Sequence, residues 1–134
     1  MSTFDTLRIS GSGLYANRKW MDAVSDNLAN INTATATDQS AFQERMITVK
    51  AADYGSGQGG VQVTGAQFGS AEGRLVYEPS NALADADGYV RYPDIDMGDQ
   101  MTQLIQAQRS YQANLSSIDR ATDAYRAALQ LGKG

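Results

Sequence analysis

The sequence predicts a mainly α fold with a small β insert: long N- and C-terminal helices pair as a coiled-coil-like bundle, with β-hairpins from the middle segment. Three observations predict it. Leu7, Leu14, Met21 and Leu28 recur every seven residues near the start of the chain. Met97, Leu104, Tyr111, Ile118 and Tyr125 do the same near its end. Between them lies a glycine-rich stretch with short β-branched and aromatic runs. Seven-residue apolar spacing marks a helix with a narrow seam suited to a partner helix, whereas short β-rich runs between glycines mark strands.

The first helix is expected over residues 4–31. Val24 and Ile31 follow Met21 and Leu28 by three residues and complete the seam there. Its first half is weaker, because Ser10 and Asn17 occupy seam positions and Gly11 and Gly13 interrupt the helix. Each glycine costs about 1 kcal/mol relative to alanine in a helix interior. Either the helix starts late, or a neighbouring backbone comes close at the glycines. Residues 32–40 repeat Asn, Thr, Asp and Ser, which favour turns and local side-chain bonds over continued helix, so a loop or an ordered extended stretch is expected.

Short strands are expected over residues 42–49, 61–68 and 74–78, forming a small set of hairpins that cannot bury much alone. The longest helix is expected over residues 96–131. Met101, Leu115 and Leu129 take the companion seam positions, with Gln108 and Thr122 as polar members. Asp94, Asp96 and Asp99 stand at its start and Arg109, Arg120, Arg126 and Lys133 later, an order that suits the helix dipole. Pro93 precedes the start and Gly132 follows the expected end. Residues 1–40 and 93–134 are therefore expected to form one discontinuous helical domain, with 41–92 as a β-rich insert and linker.

Composition narrows the function classes. The 134 residues carry 11 Lys and Arg against 15 Asp and Glu, spread evenly, so neither a nucleic-acid patch nor a polybasic membrane anchor is present. No apolar run approaches the roughly 18 residues of a membrane span, so no direct membrane insertion is expected. The start, Met1 to Asp5, lacks a basic stretch followed by an apolar one, so no secretory signal peptide is expected. Cysteine and histidine are absent, which excludes disulfides and thiolate or imidazole metal sites and removes the commonest general base near neutral pH. Residues 55–60 match G-x-G-x-x-G, but a β-like run follows where a dinucleotide loop would open a helix. Asp85, Asp87, Asp94, Asp96 and Asp99 lack the remaining ligands of a calcium loop, so a turn at Asp87-Gly88 and helix capping are expected instead. No serine or lysine has a base placed by a recognisable motif. No catalytic residue, cofactor or metal is expected, and the chain is not expected to be an enzyme.

The two terminal stripes carry the functional reading. Paired with each other, they leave one side of each helix uncovered, and other copies packed around an axis would cover it. The expected assembly residues are Leu7, Leu14, Met21, Val24, Leu28, Ile31, Met97, Met101, Leu104, Tyr111, Leu115, Ile118, Tyr125 and Leu129. Asn114 joins them, lying off the main seam and either bonding a neighbour or facing solvent. An isolated subunit is expected to be marginal, with ends that gain order on assembly.

Two stretches then bear a resemblance. Residues 25–33, with Asn27, Ala29, Asn30, Asn32 and Thr33, resemble the N-terminal signature of flagellar rod, hook and hook-associated proteins, and the match begins at Gly13-Leu14-Tyr15-Ala16. Residues 85–96, with Gly88, Tyr89, Val90 and Pro93, look like the linker into the last helix of the short proximal-rod members of that family. Residues 106–114, with Arg109, Tyr111 and Asn114, resemble that helix's own signature. The chain departs from the family where a Pro-Gly-Tyr-type turn often follows the first signature, and again at Asn81-Ala82-Leu83, where a His-Pro pair is usual. The resemblance implies a subunit exported without a cleaved signal peptide by the flagellum's own export apparatus. It implies polymerisation in the periplasm with other copies, sister rod proteins and the base ring, and a rod that transmits motor torque. The rival expectation is a small secreted helical hairpin acting as a soluble dimeric effector or adaptor.

Overall fold

In a computed structural model that describes residues 2–55 and 59–134, helix α1 spans Thr3–Asn30. Ser2 and Asp5 close a capping box: the Asp5 N–H donates to Ser2 Oγ at 3.1 Å, and the Ser2 N–H donates to Asp5 Oδ2 at 2.9 Å. Two of the donors a helix start leaves orphaned are thereby satisfied. α1 runs unbroken through Gly11 and Gly13, so the late start is set aside.

Strands β1 (Arg45–Ala51) and β2 (Val61–Phe68) form an antiparallel hairpin with a bulge between Thr48 and Val49. Three residues of its connection, Ser56, Gly57 and Gln58, lie outside the described residues, and with them most of the glycine motif; a strand follows it, as expected. A second antiparallel hairpin pairs β3 (Arg74–Tyr77) with β4 (Tyr89–Tyr92). β4 lies beyond the expected strands of residues 42–49, 61–68 and 74–78. Tyr89-Val90-Arg91-Tyr92 alternates between a Gly turn and Pro93, which is a strand signal. Residues 32–40 are turns and extended chain, and Thr35 and Arg91 exchange two backbone bonds, Thr35 N–H to Arg91 C=O at 2.8 Å and the reverse at 2.9 Å.

Helix α2 spans Met97–Gly132, capped by Asp96, whose Oδ1 accepts from the Asp99 N–H at 2.8 Å. Gly132 is the last residue of the helix rather than the first beyond it. α2 runs antiparallel to α1, with the Phe4 and Tyr125 rings meeting edge to face at one end and Asn27 meeting Gln100 toward the other. Small residues are buried on both helices, Ala16 and Ala23 on α1 and Ala107 and Ala121 on α2, and the core also holds Val24, Ile31, Val90 and Ile95. Small side chains bring helix axes close and leave little volume for large ones to fill. The β1–β2 hairpin lies along one side of α1.

Candidate assembly surface

Three elements meet at Asn27. Its Oδ1 accepts from the Arg45 N–H at 2.8 Å, and its Nδ2 donates to Arg45 C=O at 3.0 Å. Those two bonds reproduce what a neighbouring strand residue would offer the start of β1, so a helix side chain closes that strand edge. Nδ2 also donates to Gln100 Oε1 at 2.9 Å, and Gln100 Nε2 donates to Glu44 Oε1 at 2.6 Å. Asn27 and Gln100 are each only 1% exposed. The buried amides are thus hydrogen-bonded throughout, which is the condition under which a buried polar cluster specifies structure rather than costing stability. An aspartate at 27 could not donate, and a glutamine would be one methylene too long.

Further along the pair, Asn114 packs on Gly13: a Cβ at residue 13 would lie 2.6 Å from Asn114 Nδ2. Asn114 therefore sits half-buried in the contact with α1. The close approach at Gly13 comes from a side chain rather than a backbone, while a Cβ at Gly11 would meet none of the described residues within 4 Å. Trp20 Nε1 donates to Gln103 Oε1 at 3.1 Å. A hollow of about 330 Å³ between α1 and the hairpin is lined by Gly13, Ala16, Asn17, Trp20, Ile47, Val49 and Val61, none of them titratable.

The stripes divide. On α1, Val24 and Ile31 are buried, and Leu7, Leu14, Met21 and Leu28 are half-buried. On α2, Leu104, Tyr111 and Ile118 are half-buried against α1, but Met97, Met101, Leu115, Tyr125 and Leu129 are exposed, Met101 at 45% and Leu115 at 42%. The expected companion positions are therefore not the ones that meet α1. The row that does is Gln100, Ala107, Asn114 and Ala121, displaced around the helix from Met101 and Leu115. At 3.6 residues per turn, Leu14, Met21 and Leu28 lie about 120–160° around α1 from Ala16, which faces the hairpin. Met97, Met101 and Leu115 lie about 80–120° around α2 from Ala107. Because the helices are antiparallel, both stripes fall on the same side of the pair, away from the hairpin. Together they make an apolar face that the exposed Gln108 interrupts, and exposed apolar patches mark interaction sites.

The signature residues split between anchors and surface. Asn27, Gly88, Val90 and Pro93 are buried, and Asn30, Tyr111 and Asn114 half-buried; Ala29, Asn32, Thr33, Tyr89 and Arg109 are exposed. Asn30 caps locally, its Nδ2 donating to Asp26 C=O at 2.8 Å. Gly88 has φ +86°, and a Cβ there would lie 2.7 Å from the Tyr77 ring, so the turn into β4 requires glycine. Asp85 builds that turn: its Oδ1 accepts from the N–H groups of Asp87 at 3.0 Å and Tyr89 at 2.9 Å, and its Oδ2 from the Thr37 hydroxyl at 2.9 Å. The Tyr89 N–H above all, with the Thr37 hydroxyl and the Asp87 N–H, holds the Asp85 carboxyl below its usual range. Loss of solvation and the bond to Glu78 push the Tyr92 phenol up. Gln100 and Glu44 were not among the expected residues. Gln100 was legible as the first member of a row repeating every seven residues, but two alanines and two amides give that row no apolar signal.

Comparison with known proteins places these elements. Residues 7–37 match the family model described as flagella basal body rod protein, and residues 86–131 match flagellar basal body rod FlgEFG protein C-terminal. The chain is 34% identical over 134 residues to the flagellar basal-body rod protein FlgC of Salmonella typhimurium, covering 99% of this chain and all of the relative. It is 35% identical to that of Yersinia enterocolitica, again over 99% of this chain and the relative's full length. With the Bacillus subtilis FlgC it shares 30% identity over 150 aligned positions, 99% of this chain and all of the relative.

Proposed function

The chain belongs to the family of flagellar basal-body rod proteins, and from that premise we propose that it builds the rod through the apolar face its two terminal helices share. It is a structural rod subunit of the flagellar basal body; the soluble dimeric effector finds no support among its relatives. The helical unit of residues 1–40 and 93–134 makes the rod contacts, and residues 41–92 are its insert. The observation that carries this reading is the exposed stripe of Met97, Met101 and Leu115 beside Leu14, Met21 and Leu28, more apolar surface than one copy covers. Neighbours of the same kind, other copies and sister rod proteins, close it. The base ring bounds the assembly at its inner end. The subunit works in the periplasm after export by the flagellar apparatus without a cleaved signal peptide, and it carries torque rather than catalysing a reaction. Long helices seated against several neighbours suit that load, because twisting must shear many contacts at once.

The test separates folding from assembly. Leu104 and Ile118 are half-buried against α1, so an aspartate there would damage the pair as well as any contact with a neighbour. Met101→Asp and Leu115→Asp place the charge on the exposed stripe instead. Both variants should keep the parent's helicity and melt within about 0.5 kcal/mol of it. Neither should restore motility to a strain lacking the chain, although the protein is still exported. Normal motility with both substitutions combined would remove the face from the assembly.

A further inference from the structure

Seven-residue stripes leave the register of two helices open. Sliding α2 by one heptad, about 10.5 Å, would bring Leu104, Tyr111 and Ile118 into one another's places and alter the apolar packing little. The row that meets α1 is different, because its members are unlike. Gln100 hydrogen-bonds Asn27, and Asn114 fills the space where residue 13 has no side chain. The same antiparallel register sets Trp20 opposite Ala107 and Thr6 opposite Ala121, both alanines buried. Polar meets polar at one rung, and a larger residue meets a smaller one at the other three.

We propose that these rungs are the specificity-determining residues of the subunit, selecting one helix register from those the stripes allow. A slip in one direction sets Asn27 against Ala107 and Trp20 against Asn114. The Asn27 amide then loses its partner on α2, and Trp20 is set against an amide side chain in place of an alanine. A slip in the other direction sets Trp20 against Gln100 and Gly13 against Ala107, overfilling one rung and emptying the next. Because Asn27 also closes the edge of β1 at Arg45, the selected register seats the hairpin at the same time. It further decides which side chains of α1 and α2 lie together on the exposed face. That last consequence rests on the rod-assembly reading; the choice of register does not. The backbone bonds between Thr35 and Arg91 also tie the inner ends of the helices, so the rungs must be tested with that tie intact.

The chain has no cysteine, so introduced pairs report register cleanly. With a short thiol crosslinker, Phe4→Cys/Tyr125→Cys should react and Phe4→Cys/Ile118→Cys, one heptad away, should not. In an Asn27→Leu/Gln100→Leu background either the 4–118 pair or its counterpart for the opposite slip, Phe4→Cys/Gly132→Cys, should rise to at least about a third of the 4–125 yield, with helicity retained in circular dichroism. Helicity retained with both 4–118 and 4–132 still at background overturns the proposal. If the leucine pair fails to fold, a rung exchange decides. Ala107→Trp alone should lose native-only crosslinking, and Trp20→Ala/Ala107→Trp should restore it together with helicity. An exchange no better than the single substitution overturns the proposal equally.

Discussion

Gly11 and Gly13 stand two residues apart on α1 and should respond differently to alanine. Both substitutions remove glycine's backbone freedom from a helix interior, a gain of up to about 1 kcal/mol. At Gly11 no described residue lies within 4 Å of an added Cβ, so the gain should appear nearly in full as a raised melting temperature. At Gly13 the new methyl enters the space of the Asn114 amide, which must swing aside, so Gly13→Ala should gain less or lose. Thermal melts of the two variants check the order, and equal gains would show that Asn114 does not need the site. Asp85 makes a second residue-scale prediction. Its carboxyl is held below the usual carboxylate value, near 3.9, by the Tyr89 N–H and its companions. The ionised form is therefore the one the fold favours. Its contribution is complete above the unfolded value and is lost as pH falls through the lower folded one. The Tyr89 amide resonance should stay constant from pH 7 to about 5 and titrate with a midpoint below about 3.9; in Asp85→Ala that titration should vanish.

The helices were legible in sequence because their signal is long: α1 and α2 lie within a residue or two of residues 4–31 and 96–131, and the caps Ser2 and Asp96 are ordinary helix-start residues. What the apolar period could not tell was which flank of each stripe meets the partner within the chain. Heptad reading assigns Met101 and Leu115 to the seam because they are apolar. Ala107 and Asn114 win it because two helices pack closest where side chains are small. β4 was missed for a related reason. Four residues between a glycine turn and Pro93 give too short an alternation to stand out, and the strand exists through its pairing with β3 and through the tie to Thr35. Asn27 was recognised as part of a signature, but its role was not, since an asparagine late in a helix is ordinarily a local cap. Asn30 is such a cap; Asn27, one turn earlier and facing inward, joins three elements instead.

For the whole molecule, the unequal lengths of the two helices matter most. α1 has 28 residues and α2 has 36, about 42 Å against about 54 Å. Phe4 sits opposite Tyr125, and among the described residues α2 runs on alone beyond that contact, with Leu129 and Leu131 exposed, the latter at 83%. A helix end with no tertiary partner has only its own hydrogen bonds, and two turns of isolated helix are marginal in water. In dilute, monomeric protein, amides of residues 126–132 should therefore exchange at least about tenfold faster than those of residues 104–121, which face α1. Assembled rods should slow that end to the rate of the paired segment, because neighbours supply the apolar cover a single copy lacks. Leu129→Ser with Leu131→Ser should leave the monomer's melt unchanged and keep the end fast even where rods still form. Equal protection along all of α2 in the monomer would mean that the overhang is stable by itself, and the coupling of its order to assembly would fail.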